Sequence, residues 1–514
     1  MKKILFTAAI FVAAYTTNAQ TIDDVANIGT TDLQGTARFQ ALSGAFGALG
    51  GDLSAININP AGSAVFNNGY ISITAGSYNN YNDANYINTS FNKSANDFQL
   101  NQAGALIVFR NNNNNSSIKK FVLGFNYDMI NNFHNSYTAI GNSRNSTASY
   151  FANYANGYVL DDISAINGET SAQAYNNIMN DVGYNAAQGL LGYETYLINP
   201  ISDNSSSTEY EPNVTINQPL THEYRKYTSG YDNKLSLNAA TQIGNNFYIG
   251  ANANVHDIDK TQTTKLDEYG YADNSNIGYT YFENTIRTYG NAISLNIGAI
   301  AKLNNTIRIG ASYQSPTWYN LTDELQQYVN SDVYNTDTDD YDFVEVNPNT
   351  ITQFPDYKIT IPSKVTGSIA MVFGQSGLIS FDYSYQDMSN AKLGPKSDLT
   401  FQSENQYISS RLKAVNTYRI GGEYRLKNLS LRGGYRIEES PYKFDSSTAN
   451  AIEMGDLNGY SFGLGYTFKA THIDLTFAQS KRDYNYPLYN TGLTDRPNIE
   501  TTKSNILLSV GFDL

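Results

Sequence analysis

The residues that could perform catalysis or hold a metal ion lie far apart in this sequence. His134, His222, His256 and His472 show none of the spacings that zinc sites use. A serine, histidine and asparagine group for nucleophilic catalysis could assemble only through the fold, and no segment of the chain suggests one. We therefore expect neither an enzyme nor a metal or cofactor site.

An acidic run at 337–342 (DTDDYD) offers the carboxylates that Ca²⁺ prefers. It lacks the signature of a calcium-binding loop, so a solvated stretch of loop is the simpler interpretation. The whole chain is acidic, with 47 Asp and Glu against 33 Lys and Arg and a formal net charge of -14. Because binding to phosphate backbones needs a basic stripe, this composition argues against nucleic acid as a partner.

Residues 1–19 carry the three parts of a secretory signal peptide. Lys2 and Lys3 precede an apolar run at 4–15, and small residues at 17–19 offer a cleavage site. The sequence contains no cysteine, which excludes a lipoprotein signal, disulfides and thiol chemistry. After residue 19 there is no run of about 18 or more apolar residues, which excludes a membrane protein built from helices but leaves a β-barrel open.

After the first 66 residues the dominant pattern is the two-residue alternation of strands whose two faces meet different surroundings. Tyr460, Phe462 and Leu464, for example, alternate with Ser461 and Gly463. Fourteen such segments reach the ~9–11 residues that a tilted strand needs to cross a bilayer. Their approximate spans are 69–78, 101–110, 119–129, 222–243, 246–266, 278–303, 306–316, 356–373, 377–388, 413–426, 428–440, 457–468, 471–485 and 501–514.

Short and long connections between these segments alternate strictly, as periplasmic turns and outer loops do in outer-membrane barrels. A soluble β-sandwich does not require its short and long connections to alternate. The even number of segments lets both ends of a closed barrel lie on one side. We therefore predict an all-β protein, a 14-stranded antiparallel transmembrane β-barrel over residues 67–514 with long outer loops.

The longest outer loop, residues 130–221, is predicted to be partly helical, because aromatic and aliphatic residues follow helix-like spacing at 149–154 and 171–191. One interpretation is a helical cap packed against neighbouring loops. The other is the mouth of an apolar groove for a ligand, and both can hold. The possible ligand-contacting residues of this loop are Tyr150, Phe151, Tyr154, Ile178, Met179, Leu190 and Leu191.

Residues 20–66, which precede the first strand, are predicted to form a hatch that plugs the barrel. In the stretch 35–62, glycines and spaced apolar residues crowd together without strand alternation. This pattern favours a short helix that Gly50 and Gly51 stop by adopting positive φ. The stretch is small and flexible enough to occupy the lumen of a barrel.

The sequence Asn59-Pro60-Ala61-Gly62 is the candidate gate of this hatch, because Pro60 fixes its own φ and holds Asn59 extended. Asn59 is the candidate hydrogen-bonding anchor, although a residue of this type more often only caps a turn. The possible ligand-contacting residues of the hatch are Phe39, Leu42 and Phe46. Such residues more often pack a plug against its barrel.

Short motifs in the chain resemble the FadL/TodX family of outer-membrane transport proteins, and most closely its Bacteroidetes branch. They are 44–52 (GAFGALGGD) with 59–62 (NPAG), 309–317 (IGASYQSPT) and 361–364 (IPSK). The resemblance implies localisation in the outer membrane and passive transport of long-chain fatty acids or other hydrophobic small molecules. Ligand would pass from the outer loops to a hatch-gated pocket and leave through the barrel wall.

A second function stays open, in which a FadL-like barrel does not transport and serves as a protein-binding subunit of an outer-membrane secretion, export or barrel-assembly complex. The partners are then other outer-membrane proteins and outer-membrane lipid, in place of a fatty acid-like small molecule. An apolar cavity beside Phe39, Phe46 and the 130–221 loop favours transport, whereas a filled lumen with broad exposed loops favours a complex.

Overall fold

The structure is a computed structural model that describes residues 21–113, 115–202, 204, 206–444 and 453–514. The predicted signal peptide at residues 1–19 lies outside the described residues. No helix within those ranges has the length and apolar character needed to cross a membrane.

Long antiparallel strands make up most of the described chain. In chain order they are β1 (Tyr70–Tyr86), β2 (Thr89–Arg110), β3 (Ile118–Asn132), β4 (Asn135–Ser143), β5 (Ile198–Pro200), β6 (Tyr210–Pro212), β7 (Leu220–Ile243), β8 (Phe247–Tyr269), β9 (Ile277–Lys302), β10 (Ile307–Gln314), β11 (Thr317–Asn335), β12 (Asp340–Val346), β13 (Thr352–Gln353), β14 (Tyr357–Ile361), β15 (Lys364–Val372), β16 (Gly377–Asp387), β17 (Lys392–Gly394), β18 (Ala414–Leu426), β19 (Leu429–Glu438), β20 (Leu457–Phe468), β21 (Thr471–Tyr484) and β22 (Asn498–Asp513).

The sheet closes into a barrel because β1 pairs with β22, from Tyr70↔Asp513 to Asn85↔Asn498. β10 with β11, and β14 with β15, each form one bent strand of the wall. Counted in this way, the described residues give a wall of fourteen antiparallel strands, and the predicted barrel is confirmed. β4, β12, β13 and β17 add short ladders to neighbouring strands, and β5 pairs with β6 in a separate hairpin.

The two bent strands are neighbours, and their bends face each other. Ser315 and Pro316 separate β10 from β11, while Pro362 and Ser363 separate β14 from β15. Proline has no N–H to give to a ladder, so regular pairing stops at both positions. Ser315 restores part of it, since its Oγ accepts a hydrogen bond from the backbone N–H of Leu295 at 2.9 Å.

The outer face of the wall is apolar and the inner face is polar, as the alternation predicts. Leu237 and Leu295 are 59% and 56% exposed on the outside, whereas their neighbours Asn238 and Asn296 are buried. The inward amides bond to one another, as where Asn254 Nδ2 donates to Asn296 Oδ1 at 2.9 Å. The apolar belt is the surface that the acyl chains of a bilayer cover.

The hairpin of β1 and β2 is longer than predicted. Ile87 and Asn88 have φ of +43° and +67° and form a two-residue turn, which matches the twist of the strands on either side. Residues 79–100, expected as a loop, therefore continue the two strands. Phe98 and Leu100 still belong to the exposed apolar belt, whereas Asn92 and Asn96 farther along the outer face are polar, so the hairpin projects beyond the belt from Asn96 to its turn.

Residues 21–66 fold into short helical pieces on the inner side of the wall. They are α1 (Ile22–Gly29), α2 (Ala37–Ala41) and 3₁₀ turns at Ser54–Asn57 and Pro60–Val65. The helix expected to run to Gly50 ends at Ala41, because Ser43 and Gly44 adopt positive φ. Gly50 and Gly51 also have the positive φ that the sequence predicts, +61° and +70°.

The outer loops carry the remaining α-helices of the described chain. α3 (Thr147–Ala155), α4 (Ser171–Asp181) and α5 (Tyr184–Glu194) lie in the 130–221 loop, which confirms its partly helical character. α6 (Leu399–Arg411) precedes β18 and was not predicted, because its sequence is largely polar and only Phe401 and Ile408 are buried.

Candidate functional site

The barrel wall has a gap between β2 and β3. Their ladder runs from Arg110↔Lys120 to Gln102↔Asp128, nine residues on each strand, and then ends. In the described chain, residues 89–101 of β2 pair with β1 alone. Since about nine residues suffice to cross a bilayer, the gap opens at the outer end of the membrane-crossing part of the wall.

Side chains bridge this gap where backbone hydrogen bonds are missing. Asn132 Nδ2, at the end of β3, donates to Asp97 Oδ2 of β2 at 3.1 Å. Lys93 Nζ donates to the hydroxyl of Tyr227 at 3.3 Å and lies 4.4 Å from the centroid of that ring. Contacts of this kind contribute about 1 kcal/mol each. β4, which pairs with β7, continues the wall here and packs against β2 without a backbone ladder among the described residues, so β2 and β4 can separate without breaking ladder hydrogen bonds.

A cavity of about 170 Å³, which we name the gap cavity, lies behind the gap. Asn131, Asn132 and Phe133, where β3 ends, line one side of it. Lys226 and Lys260 project into it from the inward faces of β7 and β8. The cavity therefore combines a few aromatic rings with a polar and cationic lining.

A second cavity of about 120 Å³, the inner cavity, lies deeper in the lumen. Phe39 lines it together with four cationic side chains, Lys234, Lys364, Arg419 and Arg436. A narrow space of about 40 Å³ shares lining residues with both cavities. Asp32 lines all three, so they form one row along the lumen.

Residues 27–34 form the common wall of these three cavities and touch both sides of the gap. The Asp32 backbone N–H donates to Asn131 Oδ1 of β3 at 2.9 Å, and Lys503 Nζ donates to the Asp32 carboxylate at 2.8 Å. Directly after the segment, the N–H of Gly35 donates to Asn101 Oδ1 of β2 at 2.5 Å. A displacement of this segment would alter the cavities and the gap together.

α1 connects the same segment to the outer loops. Asp23 accepts a hydrogen bond from the Tyr442 hydroxyl at 2.6 Å, and the Ile22 N–H donates to Glu404 Oε1 at 2.9 Å. Burial raises the pKa of Asp23 to about 6 and also raises the pKa of Glu404. The charge on this end of α1 therefore changes in a pH range close to neutrality.

Asn59 is both a cap and an anchor in the structure. Its Oδ1 accepts from the Ala61 N–H at 3.1 Å, as a helix cap does. Its Nδ2 donates to the carbonyl oxygens of Gly47 at 2.8 Å and of Ala299 in β9 at 2.9 Å. The cap and the anchor that the sequence offered as alternatives occur together, and Asn59 fixes the corner to the wall.

Pro60, Ala61 and Gly62 complete the same close contact with the wall. Asn238 Nδ2 of β7 donates to the Pro60 carbonyl at 3.0 Å. Ala61 is fully buried, and the Gly62 carbonyl accepts from the Gly51 N–H at 3.0 Å. These contacts hold the corner in place in this structure.

The wall makes room for this corner with two inward-facing glycines. A Cβ on Gly298 would lie 2.1 Å from Asn59 Oδ1, and a Cβ on Gly250 would lie 2.6 Å from the Pro60 backbone. A larger residue at either position would collide with the corner. Glycine therefore allows the corner to lie close to the wall. Elsewhere the stretch bonds to opposite walls, for example through Gly47 N–H to Asp382 Oδ2 at 2.9 Å.

The three apolar candidates of the hatch have different surroundings. Phe39 and Phe46 pack with tilted rings whose centroids are 5.4 Å apart, and Leu42 packs with them in one buried cluster. Phe39 also lines the inner cavity, whereas Leu42 and Phe46 line none of the described cavities. Of the three, Phe39 lines a described cavity, and contact of all three with a ligand stays a prediction.

The seven candidates of the 130–221 loop lie in one close-packed cluster beneath the outer surface, which we name the loop core. Phe151 of α3 and Leu190 and Leu191 of α5 are fully buried, and Tyr150 and Ile178 nearly so. Tyr154 and Met179 pack against its edge. None of the seven lines a described cavity, so their contact with ligand stays a prediction.

Sequence reasoning missed the side chains that line the gap cavity, above all Asn131, Lys226 and Lys260. One signal was available for the two lysines. Both occupy inward positions of predicted strands, where a charged residue must face the lumen. The position of the gap could not be predicted from the sequence, because it depends on the residue pair at which the ladder between β2 and β3 ends.

Comparison with known protein families identifies one family for this chain. The model of the family described as outer membrane protein transport protein (OMPP1/FadL/TodX) matches residues 195–512. The crystal structure of a Pseudomonas aeruginosa FadL homologue is similar, with a TM-score of 0.52, 10% identity, and coverage of 94% of this chain and 99% of that chain. A search of the curated proteins finds no significant match.

Two toluene transporters of known structure are also similar. TodX of P. putida has a TM-score of 0.48 at 11% identity, and TbuX of Ralstonia pickettii has a TM-score of 0.47 at 14% identity. In each case the similarity covers 94% of this chain and 99% of that chain. Identities this low bear on the fold alone.

Proposed function

The chain belongs to the OMPP1/FadL/TodX family of outer membrane transport proteins, and from that membership we propose that it passively carries fatty acid-like amphiphiles or other hydrophobic small molecules across the outer membrane. It is a β-barrel of that membrane and not an enzyme. The predicted Bacteroidetes branch and the fatty acid-like ligand stay expectations.

The observation that carries this proposal is the gap between β2 and β3 with a cavity behind it. A ligand in the gap cavity can leave sideways into the lipid layer without crossing the residues that close the lumen below. Movement between apolar sites needs no energy source, because each buried methylene contributes about 0.8 kcal/mol whether protein or lipid covers it.

We assign the two tasks of the hatch to different parts of residues 21–66. Residues 35–66 bond to the wall on several sides and serve as the fixed plug, with Asn59 as an anchor. Residues 27–34 line the cavities and touch both edges of the gap, since the Asp32 N–H donates to Asn131 of β3 and Gln34 accepts from Asn101 of β2. We infer that they serve as the moving gate. The sequence prediction that placed the gate at 59–62 is refined in this way.

The rival function, a protein-binding subunit of an outer-membrane complex, predicts a filled lumen. The row of cavities along the described lumen favours transport, although its lining is more polar than the sequence analysis expected. Purification in mild detergent from native expression separates the two. Stoichiometric partner proteins without bound lipid would support the rival function.

Two neighbouring substitutions test the route. Thr228 lines the gap cavity, whereas Ser229, the next residue of β7, is exposed. Thr228→Trp should fill the cavity and lower the uptake of labelled fatty acid into proteoliposomes about tenfold or more, while Ser229→Trp should leave uptake unchanged. Equal uptake by both variants, with both folded, would refute the proposed route.

A further inference from the structure

The cavities in the lumen carry a charge opposite to that of the whole chain. Their linings contain eight Lys and Arg side chains but a single carboxylate, that of Asp32, among the residues that the structure describes. The full sequence has 33 basic and 47 acidic residues. A random sample of residues from this chain would therefore carry a net negative charge. The excess of cationic side chains around the cavities is specific to the lumen.

Some of these cations are neutralised by neighbouring carboxylates. Lys503 pairs with Asp32 at 2.8 Å, and Arg482 pairs with Glu438 at 2.8 Å. Glu438 also pairs with Arg436 at 2.5 Å. These pairs account for part of the charge around the cavities, and among the described residues they leave Lys226 and Lys260 of the gap cavity without a carboxylate partner.

Lys226 and Lys260 are the uncompensated pair of the gap cavity. Within the described ranges, neither has a carboxylate oxygen within 4 Å of its Nζ. Asp23 and Asp24 act on Lys226 only at longer range. Asp23 bonds to the Tyr442 hydroxyl, and Asp24 accepts from the Thr21 N–H at 2.9 Å. Two like charges thus share a partly enclosed space, and no carboxylate of the described residues is in direct contact with either of them.

A site of this kind calls for an anion, and its charge should match the two lysines. A carboxylate supplies one negative charge, whereas a phosphate monoester carries about −1.5 to −2 at neutral pH and three strong acceptor oxygens. Hydroxyl and amide donors for those oxygens line the same cavity, from Thr228 and Gln262. The donor set therefore fits a phosphate group better than a carboxylate.

The other end of such a ligand has an apolar surface available next to the gap. Phe98 and Leu100, on the outer face of β2, are 71% and 42% exposed. They lie on β2 just beyond Gln102, the residue at which its ladder with β3 ends. An acyl or alkyl chain that starts in the gap cavity can pass through the gap and lie against these side chains and the surrounding lipid.

We propose that the gap cavity binds amphiphiles with a phosphate monoester head group, which Lys226 and Lys260 hold inside the barrel while the apolar tail extends through the gap. This inference deepens the proposed function and rests on it for the route of the tail. The lysines are binding residues and take no part in covalent chemistry.

Binding of three probes with the same alkyl chain tests the head group. Dodecyl phosphate should bind the purified protein in lipid nanodiscs about tenfold more tightly than dodecanoate, and dodecanol should bind more weakly still. Inorganic phosphate alone serves as a fourth probe. Full competition by millimolar inorganic phosphate would show that the site takes free phosphate and would overturn the amphiphile proposal.

Charge substitutions test the two lysines. Lys226→Gln with Lys260→Gln should weaken dodecyl phosphate binding about tenfold or more and leave dodecanol binding unchanged. Lys226→Arg with Lys260→Arg should retain most of the affinity, which separates charge from packing. Lys396→Gln, at an exposed loop lysine, is the matched control. Unchanged binding of dodecyl phosphate by the folded glutamine variant would overturn the proposal.

Uptake into proteoliposomes separates this inference from the proposed function. If the wild-type protein imports dodecanol and the glutamine variant still binds and imports dodecyl phosphate normally, the phosphate site fails and transport stands. If the wild-type protein binds dodecyl phosphate but imports none of the probes, transport fails and the phosphate site stands.

Discussion

The loop core and the gap cavity both place aromatic side chains beneath the outer loops, but they differ in what surrounds those rings. In the loop core, Tyr150, Phe151 and Phe282 pack with ring centroids 5.1–5.4 Å apart and leave no described cavity. In the gap cavity, Tyr137 and Tyr484 stand beside lysines and amides around an open space.

This difference between the loop core and the gap cavity indicates which of them can keep an open space for a ligand. Apolar side chains at helical spacing interdigitate and fill their own volume, as protein interiors do. Side chains of like charge repel one another. Buried charged and amide groups also need hydrogen-bond partners, which the wall does not supply at every position. We therefore expect the loop core to act as a structural element and the gap cavity to bind the ligand.

The largest expected effect comes from a truncation in the loop core. Phe151→Ala should destabilise the packing of α3 against α5 by about 3–5 kcal/mol, because it removes a fully buried ring and leaves a cavity. Proteolysis of the 130–221 loop should accelerate strongly. Binding of a fatty acid to the gap cavity should change far less.

Ile166→Ala is the control in the same loop, since Ile166 is 65% exposed and its truncation should have little effect. If Phe151→Ala abolished ligand binding while the loop stayed resistant to protease, the loop core would be part of the binding site, and the distinction between the two regions would fail.

A smaller effect is expected at the anchor of the plug. Asn59→Ala removes the donor to the carbonyls of Gly47 and Ala299 and should cost about 1–3 kcal/mol, because both oxygens are buried. Faster hydrogen exchange in residues 44–66 would show the loss. Combined with Pro60→Ala, the change should lower uptake while the barrel still inserts.

Asn92→Ala, on the exposed face of β2, should leave exchange in the plug unchanged. Normal exchange in the Asn59→Ala variant would mean that this side chain does not hold the plug. Altered binding at the gap cavity without altered exchange would contradict the division between a fixed plug and a moving gate.

The smallest effect concerns the pH dependence of α1. Burial disfavours the charged carboxylate of Asp23 and raises its pKa from the ordinary value of 3.8 to about 6. Docked α1 therefore binds the proton more tightly than undocked α1, and docking should strengthen as the pH falls from 7 towards 5. Hydrogen exchange of α1, corrected for the intrinsic rate, measures this change.

Asp23→Asn should reduce that pH dependence, since the variant carries no titrating group at this position. Glu404, whose pKa is also raised by burial, leaves a residual dependence in the same direction. An α1 that docks more weakly at pH 5 than at pH 7 would contradict the assignment.

Much of the barrel could be predicted because alternation of side chains reports directly on two-sided strands. β7, β9 and β20 lie within a residue or two of the predicted segments 222–243, 278–303 and 457–468. The extension of β1 and β2 could not be predicted from alternation, because beyond the apolar belt both of their faces carry polar residues, such as Asn79 on the outer face and Asn80 on the inner face.

The candidate site was predicted less well, for a physical reason. Large apolar side chains at helical spacing, such as Phe151 and Leu190, are easy to recognise and most often belong to a core. The gap depends on the end of one ladder at Gln102↔Asp128, which is a property of pairing and not of either strand alone. Lys226 and Lys260 come together only through the register of β7 with β8.

The central claim, that ligand leaves through the gap between β2 and β3, is tested most directly by closing it. The native sequence has no cysteine, so Asp97→Cys with Asn132→Cys introduces one specific pair across the gap, where the native side chains meet at 3.1 Å. The control pair, Tyr385→Cys with Asn416→Cys, joins β16 and β18 where they are already hydrogen-bonded.

A short, reducible bifunctional thiol reagent should lower fatty acid uptake about tenfold or more in the gap pair, and reduction should restore it. The control pair should transport normally before and after cross-linking. Undiminished uptake through a gap shown by mass spectrometry to be fully cross-linked would contradict the account.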